Sequence, residues 1–189
     1  MQNIRRHLSP ILLVLTTLGM LLLVSVSNNS NAESDSPKIR LAPEFTHTEP
    51  LAWINSEPLK MADLKGKVVL IDVWTFDCWN CYRSFPWLHE LEAKFKDQGL
   101  VVIGVHTPEF KHEHDRNNVI AKTKEFNITH PVVMDNDFSY WRALQNRFWP
   151  TFYLIDKQGR IRGRFVGETH SGDSNAKGIE SAVRHLLEE

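Results

Sequence analysis

Long apolar runs alternate with amphipathic stretches along the chain. Two runs, Val68–Trp74 and Leu100–His106, are almost entirely apolar, as expected for strands that are covered on both faces of a sheet. Between them, apolar residues recur every three or four positions from Phe85 to Phe95, which predicts a helix with one buried face that ends at Gly99. This part of the chain therefore predicts a strand–helix–strand unit.

The remaining segments continue the alternation and are shorter. They predict helices over 118–126, 138–147 and 177–187, and strands over 131–134, 151–155 and 160–166, the last two joined by the turn 156–159. Upstream, 51–55 and 57–60 predict a short hairpin, followed by a turn over 63–67. The order predicts an α/β fold with a central mixed sheet flanked by helices and an N-terminal hairpin extension.

The beginning of the chain has the pattern of an export signal. Arg5 and Arg6 precede an apolar stretch over 11–26, and the small residues Ser30 and Ala32 form a cleavage site before residue 33. Sixteen residues would span only about 24 Å as a helix, short of a hydrocarbon core of ~30 Å. We expect residues 1–32 to be a signal peptide, with an uncleaved N-terminal membrane anchor as the alternative. Either form places the rest of the chain in the periplasm or another extracytoplasmic compartment.

Length and composition limit the remaining organisation. The chain has 189 residues, of which 42% are hydrophobic, and its formal net charge is −1. This is enough for one domain with a substantial core, and there is no basic excess that would indicate a nucleic-acid partner. Residues 33–50 are polar and interrupted by proline, so we expect a linker there and a single domain over 51–189.

The two cysteines of the chain, Cys78 and Cys81, follow the buried strand directly and open the amphipathic helix. N–H groups and the dipole at a helix N-terminus stabilise a thiolate. The spacing of three residues places both sulfurs on one face of the helix, close enough to bond to each other. A structural disulfide stabilises mainly by closing a long loop, and this pair closes almost none. The pair therefore predicts a dithiol–disulfide redox switch.

Residues 65–81 resemble the active-site segment of the thioredoxin superfamily. More narrowly, the chain is similar to TlpA-like extracytoplasmic thioredoxins and to the thioredoxin-like domain of DipZ-type membrane proteins, from about residue 51 to its C-terminus. Four features in the same order carry the resemblance: Asp72 six residues before Cys78, Trp74, Pro86 five residues after Cys81, and the segment 149–151 before a strand.

The resemblance implies a thioredoxin-like fold and a role for each of four residues. Cys78 would be the exposed nucleophile that attacks a substrate disulfide, and Cys81 the more buried thiol that resolves the mixed disulfide. Pro150 would be the cis-proline that faces the cysteines. Asp72 would be a buried acid of raised pKa that accepts the proton of the resolving thiol, although an Asp bonded to local backbone at a strand bulge is also compatible with its position.

Two tryptophans are candidate substrate-binding residues. Trp79 lies between the cysteines and Trp149 precedes Pro150, so both are expected to flank the sulfurs. They would offer an apolar, aromatic docking surface to a cysteine-bearing segment of a partner. The alternative is that one or both simply pack on the helix.

Three positions depart from the family pattern. Asp77 carries a negative charge directly before Cys78, which disfavours its thiolate. Asn80 supplies no cation inside the motif, and both features favour a reductant-like pair. Ser84 stands where some TlpA-like reductases have a glutamate, so no proton-transfer role is carried over to it.

These observations predict an extracytoplasmic thiol–disulfide oxidoreductase that reduces protein disulfides and receives electrons from a membrane thiol-transfer reductase. We expect no cofactor, no metal and no nucleic acid, and membrane contact only through the N-terminal segment. The alternatives are a thiol peroxidase and a non-enzymatic metal chaperone that uses the cysteines with a histidine from 106–114. A polar loop after a strand is the simpler interpretation of those histidines, because their spacing is not diagnostic of a metal site.

Overall fold

The computed structural model describes residues 40–189, in which six strands form one mixed sheet in the order β1-β4-β3-β2-β5-β6. Strands β2, β3 and β4 are parallel, and the other pairings are antiparallel. The strands are β1 (Trp53–Ile54), β2 (Val68–Trp74), β3 (Leu100–His106), β4 (Val132–Met134), β5 (Thr151–Ile155) and β6 (Ile161–Val166). The predicted signal segment, residues 1–32, lies outside the described residues.

Four α-helices cover the sheet. They are α1 (Trp79–Phe95), α2 (Arg116–Glu125), α3 (Ser139–Leu144) and α4 (Ser174–Glu188). Every predicted helix, and every strand predicted after residue 60, is present; β2, β3 and β5 have the predicted ends and the other elements have shifted ends. The predicted α/β fold with a mixed sheet is confirmed. Within residues 40–189, no helix combines the length and the hydrophobicity needed to cross a bilayer.

Side-chain caps explain why two helices begin earlier than their apolar pattern indicates. The carboxylate of Asp115 accepts hydrogen bonds from the amides of Asn117 and Asn118, at 2.8 and 3.2 Å, and starts α2. The carboxylate of Asp173 accepts one from the amide of Ala176, at 2.7 Å, and starts α4. A capping side chain satisfies N–H groups that have no partner within the helix, so each helix extends back to its cap.

The alternation of side chains along β2 divides the core into two layers. Even-numbered residues pack against α1 and α4, and odd-numbered residues pack against α3. The first layer includes Val68, Leu70 and Trp74 with Phe85, Leu88, Ile179 and Val183; the second includes Val69, Ile71 and Val73 with Tyr140 and Leu144. The sheet is therefore the middle layer of a three-layer α/β/α arrangement, and α1 lies directly over the even-numbered face of β2.

The predicted N-terminal hairpin is wrong. Trp53 and Ile54 do form a strand, but it pairs antiparallel with β4 at Val132 and Val133, and residues 57–60 form no strand. Pro58, within 57–60, cannot donate to a strand ladder. The apolar β1 instead extends the edge of the main sheet, where Trp53 is almost completely buried.

The described part of the predicted linker, residues 40–50, packs against the domain. Leu41 forms an isolated antiparallel bridge with Arg160, in the turn of the β5–β6 hairpin directly before β6. Phe45 is buried, with its ring 5.1 Å from Trp53 and 5.0 Å from Tyr140. This segment thus contributes a side chain to the second core layer.

Candidate active site

Cys78 and Cys81 form a disulfide at the N-terminus of α1, with their Cα atoms 5.2 Å apart. Cys78 is the N-cap of the helix, and its sulfur accepts a hydrogen bond from the Cys81 amide at 3.2 Å. Its own amide donates to the carbonyl of Thr75 at 3.4 Å. Cys78 is half-buried whereas Cys81 is only 1% exposed. A partner can therefore reach the first sulfur much more readily than the second.

Asp72 lies in the middle of β2, on the sheet face that packs against α1. Its neighbours in the sheet are Gly104 of β3 and Phe152 of β5, and the register is regular on both sides. The side chain is 2% exposed, and its Oδ1 has no hydrogen-bond partner among the described residues. Burial raises the pKa of this carboxyl to about 8. The regular register provides no bulge of the kind that the alternative interpretation required.

The Trp149–Pro150 peptide bond is cis, as the resemblance implied. Because Thr151 pairs with Val73, Pro150 lies at the carboxyl end of β2, the same end from which the chain continues to Cys78. Pro150 is buried and its carbonyl accepts a hydrogen bond from Gly167 at 2.9 Å. The sheet thus brings the cis-proline loop to the edge that carries the disulfide.

The two candidate tryptophans have different environments. Trp79 is 65% exposed and stacks on Tyr82, with ring centroids 5.4 Å apart. Trp149 is half-buried: its indole N–H donates to the carbonyl of Thr107 at 3.1 Å, and its ring lies 4.3 Å from Trp141. Trp79 therefore has a free face for a partner, whereas Trp149 is fixed by its neighbours.

A surface depression opens beside Cys78. Its lining includes Trp79, Tyr82 and Phe126, with Lys122 and Glu125 also contributing. Tyr82 lies 5.1 Å from Phe126, so the aromatic surface runs from the exposed Trp79 to the end of α2. An apolar segment of a protein could rest there while its disulfide reaches Cys78.

The fold and this geometry agree with comparisons to known proteins. The model of the family described as Redoxin matches residues 38–180. The chain belongs to the Redoxin family. It is 38% identical to the protein DipZ of Mycobacterium tuberculosis over 165 residues, which are 86% of this chain and 23% of DipZ.

Two further proteins resemble this Redoxin domain over nearly their whole length. The thiol-disulfide oxidoreductase YkuV of Bacillus subtilis is 31% identical over 147 residues, which are 78% of this chain and 94% of YkuV. A solved solution structure of a thioredoxin-like protein in the oxidized form has 30% identity and a TM-score of 0.67, and covers 79% of this chain and 96% of that protein. The chain thus spans about a quarter of DipZ and almost all of YkuV.

Glu113 was not among the predicted site residues, and in the Redoxin domain it is completely buried beneath the loop that leads into Cys78. It accepts hydrogen bonds from the Thr75 hydroxyl at 2.5 Å, the Asp77 amide at 3.0 Å, and the amides of Glu109 and Phe110 at 2.7 Å each. The sequence signal was weak: a glutamate three residues after Phe110 has the spacing of a capping box, but phenylalanine is not a capping residue. Its partners in the active-site loop are more than 30 residues away in the chain.

His106 also lies next to this loop. It is the last residue of β3, as the predicted strand 100–106 has it, so the polar-loop interpretation of 106–114 is wrong for this histidine. It is fully buried, and its Nε2 is 3.4 Å from the Thr75 hydroxyl. Its ring packs edge-on against Trp74 and is stacked with Phe76, at 4.9 and 5.6 Å. Burial lowers the pKa of His106 to about 4, so the imidazole is neutral at physiological pH.

Ser84 of the Redoxin domain is buried, and its hydroxyl is hydrogen-bonded to backbone groups of two segments. Its hydroxyl donates to the carbonyl of Asn80 at 2.8 Å and accepts from the amide of Thr169 at 2.9 Å. The serine therefore connects the first turns of α1 to the segment before α4.

Among residues 40–189, one group of three side chains brings potential metal-ligand atoms together: His47, Asp135 and Asp137. None of the histidines at 106–114 belongs to it. The buried carboxylate of Asp135 accepts two backbone amides at the start of α3, at 2.9 and 2.8 Å. These contacts identify Asp135 as the acceptor that holds the start of α3.

Proposed function

We propose that this thiol–disulfide oxidoreductase acts outside the cytoplasm as a reductant of protein disulfides, with Cys78 as the attacking thiolate and Cys81 as the resolving thiol. The observation that carries the proposal is the unequal exposure of two bonded sulfurs at one helix N-terminus. The similarity to YkuV over almost all of its length supports the same chemistry.

The exchange takes place in two steps in the reduced protein. The Cys78 thiolate attacks one sulfur of a partner disulfide, forms a mixed disulfide and releases the partner's other sulfur as a thiolate. Cys81 then loses its proton and attacks the Cys78 sulfur, which releases the second partner thiol. Two electrons pass to the partner and the Cys78–Cys81 disulfide remains, so the cycle requires a two-electron donor.

Asp72 is the proposed acceptor for the proton of Cys81. Its pKa of about 8 is close to the ~8.5 of an ordinary cysteine thiol, so a proton can move between the two groups at little cost in free energy. The even-numbered face of β2 on which Asp72 lies is the face that contacts α1 and the buried Cys81. The absent partner at Oδ1 leaves an acceptor available.

The docking surface in this proposal consists of the cis-proline loop and the aromatic depression. Pro150 has no N–H, so its loop leaves backbone groups of the preceding residue for an extended partner segment. Trp79 supplies exposed aromatic surface next to the attacking sulfur, and the half-buried Trp149 directly precedes Pro150 in the cis-proline loop. Partners are thus proteins with accessible disulfides.

The export-signal pattern of residues 1–32 supports the proposed compartment and, through it, the proposed electron donor. The basic flank, apolar stretch and small-residue site of residues 1–32 support export. Outside the cytoplasm, cytosolic thiol systems do not reach the pair. A membrane thiol-transfer reductase is the donor that can carry electrons to it.

Trapping of mixed disulfides tests the catalytic assignment. Cys81→Ser should accumulate covalent, reductant-sensitive adducts with protein partners, because the resolving attack is lost. Cys78→Ser is the matched control and should accumulate none. Adducts on Cys78→Ser but not on Cys81→Ser would reverse the two roles. A redox titration against glutathione tests the direction: a potential near that of strong oxidants, about −120 mV, would contradict a reductant.

Export is tested separately on the full chain. N-terminal sequencing of the mature protein should begin at Glu33. Protease added from outside should cleave the protein in cells whose outer layer is permeabilised and whose cytoplasmic membrane is intact. The chain without residues 1–32 serves as the control and should remain protected. Protection of the full chain as well would contradict the extracytoplasmic location.

A further inference from the structure

The buried carboxylate of Glu113 joins two loops at the active site. It belongs to the 3₁₀ turn Lys111–His114 that follows β3, and it accepts a hydroxyl and an amide from the loop 75–77 that leads into Cys78. Two more amides, from 109 and 110, close its other side. Four donors converge on one fully buried carboxylate that the exchange steps above do not use.

The hydrogen bonds indicate that Glu113 is an anion. Burial alone would raise the pKa of the carboxyl, but the bonds from Thr75, Asp77, Phe110 and Glu109 together outweigh burial, and the pKa is lowered. Backbone amides bonded to a carboxylate can only donate, so they favour its charged form. A full negative charge therefore lies beneath the loop.

This charge is bonded to the loop that leads into Cys78 and is not neutralised by its buried neighbour. Glu113 bonds to the amide of Asp77, one residue before Cys78. The adjacent imidazole of His106 is neutral at physiological pH. The other titratable groups around the loop are Asp77 and His112, which pair with each other at the surface, His114 on the same turn and Lys122 across the depression.

We propose that Glu113 is a positioning residue that fixes the loop before Cys78 and, through its buried negative charge, keeps the Cys78–Cys81 pair reducing. The inference rests on the proposed function. In the reduced protein the carboxylate repels the Cys78 thiolate, and the disulfide form has no such charge to repel. The reduced form is therefore disfavoured relative to the oxidised form, and the pair gives up its electrons more readily.

Glu113→Gln removes the charge and keeps the size of the side chain. Two quantities are measured on the purified protein: the equilibrium with glutathione, and the alkylation rate of Cys78 against pH in the reduced protein. The variant should shift the equilibrium toward the reduced form on the order of tenfold, and the midpoint of the alkylation profile should fall by about one pH unit.

Glu44→Gln is the matched control, because the Glu44 carboxylate also accepts two backbone amides, those of Met61 and Ala62, at 2.9 and 3.1 Å. It should lower stability without moving the equilibrium or the profile. If Glu113→Gln behaves like Glu44→Gln, Glu113 is only structural and the inference is overturned. If the unmodified protein does not exchange with glutathione at all, the proposed function fails instead.

Two further variants cover the case in which Glu113→Gln does not fold. Glu113→Asp keeps the charge. Its equilibrium constant with glutathione should stay within about twofold of that of the unmodified protein, because the expected shift of about tenfold comes from loss of the charge. Thr75→Val keeps the charge and removes one tether, and it should slow exchange severalfold. An unchanged exchange rate in Thr75→Val would contradict the claim that Glu113 fixes the loop. A shift of the equilibrium in Glu113→Asp as large as tenfold would contradict the claim that the charge sets the equilibrium.

Discussion

Asp77 and His112 form a hydrogen-bonded pair directly before Cys78, with Asp77 Oδ2 2.5 Å from His112 Nε2. The His112 ring also lies 5.6 Å from the ring of Phe76 and 6.0 Å from that of Phe110. From the sequence, Asp77 was expected to be an isolated negative charge that disfavours the Cys78 thiolate. The structure places the imidazole of His112, from the turn after β3, in hydrogen-bond contact with that carboxylate, so Asp77 is not isolated.

Removal of His112 should leave the Asp77 carboxylate without its hydrogen-bond partner. We expect His112→Ala to raise the midpoint of the Cys78 alkylation profile and to make the pair more reducing, by less than about fivefold, because both side chains are solvent-exposed and such pairs contribute at most ~1 kcal/mol. His114→Ala, an exposed histidine of the same turn, is the control and should have no effect. A fall in the midpoint would contradict the role given to this pair.

Burial of Asp72 should make stability depend on pH. The folded pKa of about 8 is above the ordinary value of ~3.9, so the folded protein keeps a proton that the unfolded chain releases in this range. The contribution of Asp72 to stability is therefore lost as pH rises from about 4 to about 8, by about 1.4 kcal/mol per pH unit. Asp72→Asn should lack this slope and be more stable at pH 8. Urea unfolding at several pH values measures the difference, and equal slopes for the two proteins would contradict a buried, titrating Asp72.

The same variant should be slower in turnover. Without the proposed proton acceptor for Cys81, the release of a mixed disulfide should slow by ~10²-fold, the lower end of the usual effect of a positioned base. Stopped-flow measurement of the second exchange step over a pH series checks this expectation. A rate and a pH profile identical to those of the unmodified protein would remove the proton-transfer role while leaving the stability prediction intact.

Gly104 in β3 leaves space for Trp74. A Cβ at residue 104 would lie 2.9 Å from the Trp74 Nε1 and 3.1 Å from a methyl carbon of Val132, and both neighbours are fully buried. Gly104→Ala should therefore destabilise the protein by about 1–3 kcal/mol. Gly178→Ala in α4, whose nearest contact would be 3.4 Å, is the control and should be neutral or stabilising by up to ~1 kcal/mol. Chemical denaturation distinguishes the two, and equal stabilities would show that the space beside Trp74 is not needed.

The exposed aromatic surface of Trp79 should increase the rate of exchange with protein disulfides but not with small disulfides. Trp79→Ala should change stability by less than ~0.5 kcal/mol, because the side chain is 65% exposed. Its rate with a protein disulfide should fall severalfold, whereas its rate with a small disulfide should be unchanged. Leu51→Ala, also exposed but outside the depression, is the control. An equal loss with both substrates would point to altered chemistry rather than docking.

The elements that periodicity could identify were those with a strong local pattern. The run Val68–Trp74 and the apolar face of α1 were predicted with nearly correct bounds, because burial of both faces, or of one helical stripe, appears directly in the order of residues. The hairpin at 51–60 was predicted wrongly, because nothing local to Trp53–Ile54 indicates that its partner is β4. The starts of α2 and α4 depended on the caps Asp115 and Asp173, which the apolar pattern does not include.

The sequence by itself determined the chemistry of the centre: two cysteines three residues apart at the start of a helix must lie on one face of it, whatever the rest of the chain does. Tertiary structure alone decided which charges surround them. Glu113 meets the Asp77 amide, and His112 meets the Asp77 carboxylate, across more than 30 residues of chain. Such contacts exist because parallel pairing of β2 with β3 brings the loops that follow both strands to one edge of the sheet, and no short-range pattern records that meeting.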